Sequence, residues 1–156
     1  MKNKKLKCVE IEIWMTKRGG MMTGLIIATH GNSSVELIKG AEMFAGPLSK
    51  CREWTLNPGY DIQKGEQMLE EYVDELDQEE GVLIMADLFG GTPSNLATKI
   101  ALRRENVETV TGVNLPMIIQ FVTERETQTL DELVESCIET EQDGIKCPTK
   151  IMKERR

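Results

Sequence analysis

Two stretches of uninterrupted apolar sequence limit what this chain can fold into more than any other feature. Leu25-Ile26-Ile27-Ala28 and Val82-Leu83-Ile84-Met85-Ala86 show no alternation of apolar and polar residues. A strand with one face in water alternates, whereas a strand covered on both faces does not. Each run ends in a polar residue, then small residues, then a helix-start signal. The first is followed by Thr29, His30, Gly31, Asn32 and Ser33. The second is followed by Asp87, Leu88, Phe89, Gly90, Gly91, Thr92 and Pro93. Strand, short loop and helix in repetition predict a parallel sheet wrapped by helices.

The remaining pattern fits that plan. Ser33 and Glu36 have capping-box spacing, so a helix is expected over residues 33–45, stopped by Gly46-Pro47. Residues 51–56 read as a second strand, and Asn57-Pro58-Gly59 as a turn. Asp61 is placed to cap a helix reaching about Leu76. Its apolar face carries Ile62, Leu69, Tyr72, Val73 and Leu76. Its other face carries Glu66, Glu70, Glu71, Asp74 and Glu75, which reads as a solvated stripe. Thr92 and Pro93 suit the N-cap and first position of a helix to about Arg104. Residues 107–111 form a fourth strand, and Pro116 opens a helix to about Glu124. Thr129 and Glu132 repeat the capping-box spacing and start a helix to about Thr140. Gly144-Ile145-Lys146-Cys147 is expected to form a short edge strand at the C-terminal end. The expected fold class is therefore α/β, a doubly wound, mainly parallel sheet of order 2-1-3-4 with helices on both faces.

Length and composition narrow the function. The 156 residues suit one domain with a substantial core. The formal net charge is −7, and the six basic residues before residue 21 leave the rest more acidic still. That balance argues against nucleic acid as a partner. Four cysteines, Cys8, Cys51, Cys137 and Cys147, and a single histidine offer no metal-binding set. They suit reduced thiols in a cytoplasmic protein. No apolar run is long enough to span a bilayer.

Residues 1–21 are expected to lie outside the domain, as a disordered leader or as sequence preceding a natural start at Met21 or Met22. The domain is expected over residues 22–147, and residues 148–156 are expected to be a frayed charged tail.

His30, the only histidine, ends the first strand, and Asp87 ends the third. In order 2-1-3-4 these strands are neighbours at the switch point, so the two side chains are expected to meet there. An aspartate on one imidazole nitrogen fixes the tautomer and frees the other nitrogen as a nucleophile. Thr29, Gly31, Gly90, Gly91 and Thr92 surround that point with hydroxyls, bare N–H groups and helix N-termini. Such a surround suits an anion. Thr92 would also serve as an ordinary helix cap, and Asn114 as a turn residue. There is no phosphate-binding lysine loop and no serine-nucleophile elbow. Phosphate would therefore arrive already activated, on another protein.

Three motifs now point to a family. Ile26-Ile27-Ala28-Thr29-His30-Gly31, Asp87-Leu88-Phe89-Gly90-Gly91-Thr92-Pro93-Ser94-Asn95 and Gly112-Val113-Asn114-Leu115-Pro116-Met117 together closely resemble the enzyme IIA domain of the mannose-type sugar phosphotransferase system. The resemblance covers about residues 23–145. It implies that His30 accepts a phosphoryl group from the histidine-containing phosphocarrier protein and passes it to an enzyme IIB partner. Sugar would then be phosphorylated as it enters through a membrane permease. It further implies that Asp87 orients His30, that Thr92 helps hold the phosphoryl group, and that no cofactor is needed. Many relatives have serine at the position of Thr92, and some have tryptophan at that of Phe89. Phe89 and Asn114 become candidates for partner binding. A homodimer is implied, with Ile145, Lys146 and Cys147 as a strand exchanged between subunits.

Three rival readings are distinguishable. A histidine phosphatase normally carries arginine where Thr29 stands and needs a second histidine. A non-catalytic regulatory docking module would share the fold without phosphate transfer. A flavodoxin-like nucleotide binder would show bound flavin in its absorption spectrum.

Overall fold

The computed structural model describes residues 22–155. The expected leader therefore lies outside the described residues. Four strands form one sheet: β1 (Gly24–His30), β2 (Cys51–Leu56), β3 (Val82–Ala86) and β4 (Val107–Thr111). All pairings are parallel, in the order β2-β1-β3-β4. Among the described residues six helices accompany them: α1 (Ser33–Ala45), α2 (Ile62–Leu76), α3 (Thr92–Ala101), α4 (Leu115–Glu124), α5 (Leu130–Gly144) and α6 (Pro148–Glu154).

The central strands are apolar throughout because helices cover both faces. Leu25 pairs with Leu83 and Ile27 with Met85, and these four residues face α1, α4 and α5. The alternate residues, Ile26, Ala28 and Ile84, face α2 and α3 together with Trp54 of β2. Every one of these side chains is fully buried. Burying a Leu, Ile or Met side chain contributes about 1.5–3 kcal/mol, so the two central strands anchor both layers.

The helix starts show how local sequence sets the frame. Asp61 accepts from the N–H groups of Gln63 and Lys64 at 3.0 and 3.3 Å, as its position suggested. Thr129 and Glu132 complete a reciprocal capping box. Ser33 and Glu36 do not. Asn32 is the N-cap of α1, with no side-chain cap bond of its own. Thr29, at the end of β1, instead accepts from the Ser34 N–H at 2.8 Å. The strand end thus satisfies the helix donor, and Ser33 is already inside the helix.

Four further expectations need correction. α3 ends at Ala101, where its last donors turn back on Thr98 and Ile100, three residues before Arg104. The acidic face of α2 is not merely solvated. Lys99 lies 2.6 Å from Glu66, Arg103 reaches Glu66 and Glu70, and Arg104 lies 2.6 Å from Asp74. Arg52 of β2 pairs with Glu75. The bases sit on other elements, so periodicity within α2 could not show them. α5 continues to Gly144, past the expected Thr140, and residues 145–147 pair with no strand among the described residues. The charged tail forms α6, because Pro148 occupies a first-turn position where its missing N–H costs nothing.

Candidate functional site

The site lies where the carboxyl ends of β1 and β3 meet the start of α3. Parallel pairing of β1 with β3 runs from Gly24 opposite Val82 to Ala28 opposite Ala86. The residues just beyond that ladder are therefore carried to the same edge. His30 ends β1, and Asp87 follows the last residue of β3.

Asp87 holds His30 twice. Its Oδ2 accepts from the His30 backbone N–H at 2.8 Å. Its two carboxylate oxygens lie 3.1 and 3.0 Å from His30 Nδ1. A carboxylate only accepts, so the ring bond requires a proton on Nδ1. In the neutral imidazole this leaves the Nε2 lone pair free. The histidine side chain is 44% exposed and the aspartate 27%, which leaves the ring open to a large partner while its orientation is fixed.

The far edge of the ring rests on glycine. A Cβ at Gly91 would stand 2.8 Å from His30 Cε1 and 3.4 Å from Nε2. Only a residue without a side chain lets the backbone approach the ring this closely. Gly90, the preceding residue, has a φ of +77°, which glycine adopts without strain. The Gly91 N–H closes the turn on the Leu88 carbonyl at 3.1 Å.

Gly91, and not Thr92, is the N-cap of α3, and no side chain caps this helix. Thr92 is its first residue, and its hydroxyl has no partner among the described residues. The first-turn N–H groups of a helix lack intrahelical partners and carry the positive end of its dipole. A side-chain cap would have covered them; here none does, and they lie beside His30.

Other candidate residues have different tasks. Thr29 is fully buried, and its hydroxyl is engaged with Ser34, so it orients the loop rather than facing a ligand. Gly31 has a φ of +58° and turns the chain directly after His30, its N–H bonded to the Leu56 carbonyl at 2.8 Å. Asn114 caps α4 by accepting from the Met117 N–H at 2.9 Å, a structural role that leaves little for a partner. Phe89 is 87% exposed at the tip of the turn, with exposed Leu88 next to it. Asn95 was given no role from sequence, although it ends the second motif. Its side chain donates to the Gly90 carbonyl at 3.0 Å. An asparagine, a weak helix former, one turn into the helix that follows two glycines is the signal the sequence offers.

No group of three or more metal-binding side chains occurs among the described residues, and no described helix is long and apolar enough to cross a membrane. Burial pushes the thiols of Cys51 and Cys137 up to about 12, so neither is a poised nucleophile.

The chain is similar to known proteins over most of its length. Residues 24–138 match the EIIA-man family model, described as the fructose IIA component of the PTS system. The mannose-specific EIIAB component of Escherichia coli K12 is 34% identical over 130 residues, covering 81% of this chain. The chain spans only 39% of that relative's length. The fructose-specific EIIA component of Bacillus subtilis is 27% identical over 113 residues, covering 72% of this chain and 81% of its own. Among solved structures, the phosphotransferase system component EIIA from Streptococcus agalactiae superposes with a TM-score of 0.76. It is 24% identical and covers 83% of this chain and 99% of its own, a likeness of fold.

Proposed function

Because this chain belongs to the EIIA-man family, the IIA components of a sugar phosphotransferase system, we propose that it carries a phosphoryl group on His30. The donor is the histidine-containing phosphocarrier protein and the acceptor an enzyme IIB partner. The sugar is phosphorylated during entry through a membrane permease, while this chain works in the cytoplasm. One observation carries the reading: Asp87 fixes His30 by Nδ1 and leaves Nε2 at the uncapped start of α3.

The chemistry is a displacement at phosphorus. The Nε2 lone pair forms a bond to the phosphorus as the donor's N–P bond breaks, and the donor imidazole leaves with that electron pair. Asp87 stabilises the positive charge that develops on the His30 ring. The Thr92 hydroxyl and the first-turn N–H groups of α3 face the phosphoryl oxygens and offset their negative charge. Transfer of this kind depends mainly on positioning and electrostatics. Passing the group to enzyme IIB is the same displacement in reverse, with the acceptor as nucleophile.

Exposed Leu88 and Phe89 lie next to the nucleophile and suit the contact with both partners. A homodimer is part of the proposal. Its support is that residues 145–147 are extended at their ends, that Ile145 is 83% exposed, and that the outer edge of β4 is unpaired among the described residues.

Reconstitution tests the function. The chain is incubated with phosphoenolpyruvate, enzyme I and the phosphocarrier protein, and phosphate is mapped by mass spectrometry. One acid-labile phosphate on His30, absent from a folded His30→Ala variant, is expected. No phosphate from a phosphocarrier shown to be charged would leave a docking module as the better reading.

A further inference from the structure

Resting on the carrier reading, we propose that Asn95 is a positioning residue that aims the Thr92 N–H at the phosphoryl oxygens on His30. Asn95 binds two consecutive carbonyls. Its Nδ2 donates to the Gly90 carbonyl at 3.0 Å, and its backbone N–H donates to the Gly91 carbonyl at 2.9 Å. Ser94 Oγ also donates to the Gly91 carbonyl, at 3.0 Å.

A trans peptide sets its C=O and N–H on opposite sides, and no peptide here is cis. With the Gly90 carbonyl held by Asn95, the Gly91 N–H points the other way, to Leu88. With the Gly91 carbonyl held toward the helix body, the Thr92 N–H points out of the helix start. Gly91, the residue bonded to that N–H, lies against the reacting edge of the ring: a Cβ built on it would stand 3.4 Å from His30 Nε2. The two glycines would otherwise leave this turn the freest backbone in the site. The Asn95 side chain restrains the Gly90–Gly91 peptide, from which the Gly91–Thr92 peptide is hung; the backbone bond to the Gly91 carbonyl is one that any residue at 95 would keep.

The choice of residue supports a role other than stability. Asn95 is exposed, and asparagine is a weak helix former. Alanine would improve the helix while releasing the Gly90 carbonyl to water. The Asn95→Ala variant is therefore expected to keep its melting temperature and to lose rate. Misdirecting one preorganised N–H donor should slow transfer by roughly 10- to 100-fold, less than its outright removal.

The test uses the full chain, charged by phosphoenolpyruvate, enzyme I and the phosphocarrier protein. It measures the transfer rate, the melting temperature and the shift of the Thr92 amide in ¹H–¹⁵N spectra on phosphorylation. In the parent chain that amide is expected to move strongly downfield. In Asn95→Ala the movement should be lost along with the rate, at unchanged affinity for the phosphocarrier. Asn95→Asp, which cannot donate to the carbonyl yet suits a helix start, should behave likewise. A parental rate or a retained Thr92 shift in Asn95→Ala would overturn the proposal, and so would a large fall in melting temperature. If the parent chain itself takes no phosphate, the carrier reading fails and this inference falls with it.

Discussion

Asp87 holds His30 through both its backbone and its ring, with Oδ2 2.8 Å from the backbone nitrogen and 3.0 Å from Nδ1. One carboxylate thus fixes the end of β1, the tautomer of the imidazole and the direction of its free nitrogen. The double contact exists because parallel strands β1 and β3 end at one sheet edge and carry His30 and Asp87 to it.

Asp87→Asn is expected to slow phosphate acceptance by roughly 10²-fold or more, because an amide N–H facing Nδ1 moves the ring proton to Nε2. The backbone bond to His30 survives through the amide oxygen, so melting temperature should change by only a few degrees. Rapid-quench transfer rates and calorimetry separate the two effects. An unchanged rate would mean that Asp87 does not set the tautomer.

Two glycines beside His30 should respond differently to alanine. Gly91 has an ordinary φ of −72°, so its substitution strains no backbone, but the new Cβ meets the imidazole at 2.8 Å. The ring can move only by giving up Asp87, and such a displacement costs roughly 10²-fold in rate. At Gly31 a Cβ meets nothing within 4 Å, but φ is +58°. Alanine there should cost about 1–2 kcal/mol of stability, from backbone strain alone. Chemical denaturation and transfer rates on the two variants would show the crossed pattern; equal effects would contradict it.

The sheet and the meeting of His30 with Asp87 were legible because they follow from apolar runs and strand order. What sequence hid depends on contacts between elements. Thr29 looked like a ligand-facing hydroxyl because its true partner, the Ser34 N–H, lies five residues on, across the loop. Thr92 looked like the cap because threonine usually is. Here glycine takes that place, since the cap position must also lie against the histidine ring. The acidic stripe of α2 looked solvated because its bases lie on α3, just beyond its end, and on β2. The terminal helix was hidden by its charge, although Pro148 signalled its start.

Acid should expose the α2–α3 contact. Hydrogen bonding from Lys99 holds the Glu66 carboxyl below its ordinary 4.5. A depressed folded value gives stability that is present above the unfolded value and lost as pH falls below it. Glu66→Gln should therefore flatten the loss of stability below about pH 4.5. Urea midpoints from pH 3 to 7 check this. Parallel curves for the two proteins would show that the pair contributes nothing.

The thiols should divide sharply. Cys51 and Cys137 are buried, with values raised to about 12, while Cys147 is exposed and hydrogen bonding by Thr149 lowers its value. In a Cys8→Ser background, a thiol reagent near neutral pH should label Cys147 quickly and the other two only on unfolding. Because burial raises the two core thiols above an ordinary thiol's 9.0, stability should fall as pH rises past about 9. Fast native labelling of Cys51 or Cys137 would contradict their burial.

The central claim is that His30 Nε2 is the phosphorylated atom, and phosphorus–proton correlation spectroscopy on the charged protein tests it most directly. Nε2 is bonded to Cε1 and Cδ2, so a phosphorus there couples to both ring protons. A phosphorus on Nδ1 couples to Hε1 alone. The account predicts one phosphorus signal coupled to both protons of His30. A signal coupled to Hε1 alone, or phosphate on any other residue, would contradict it.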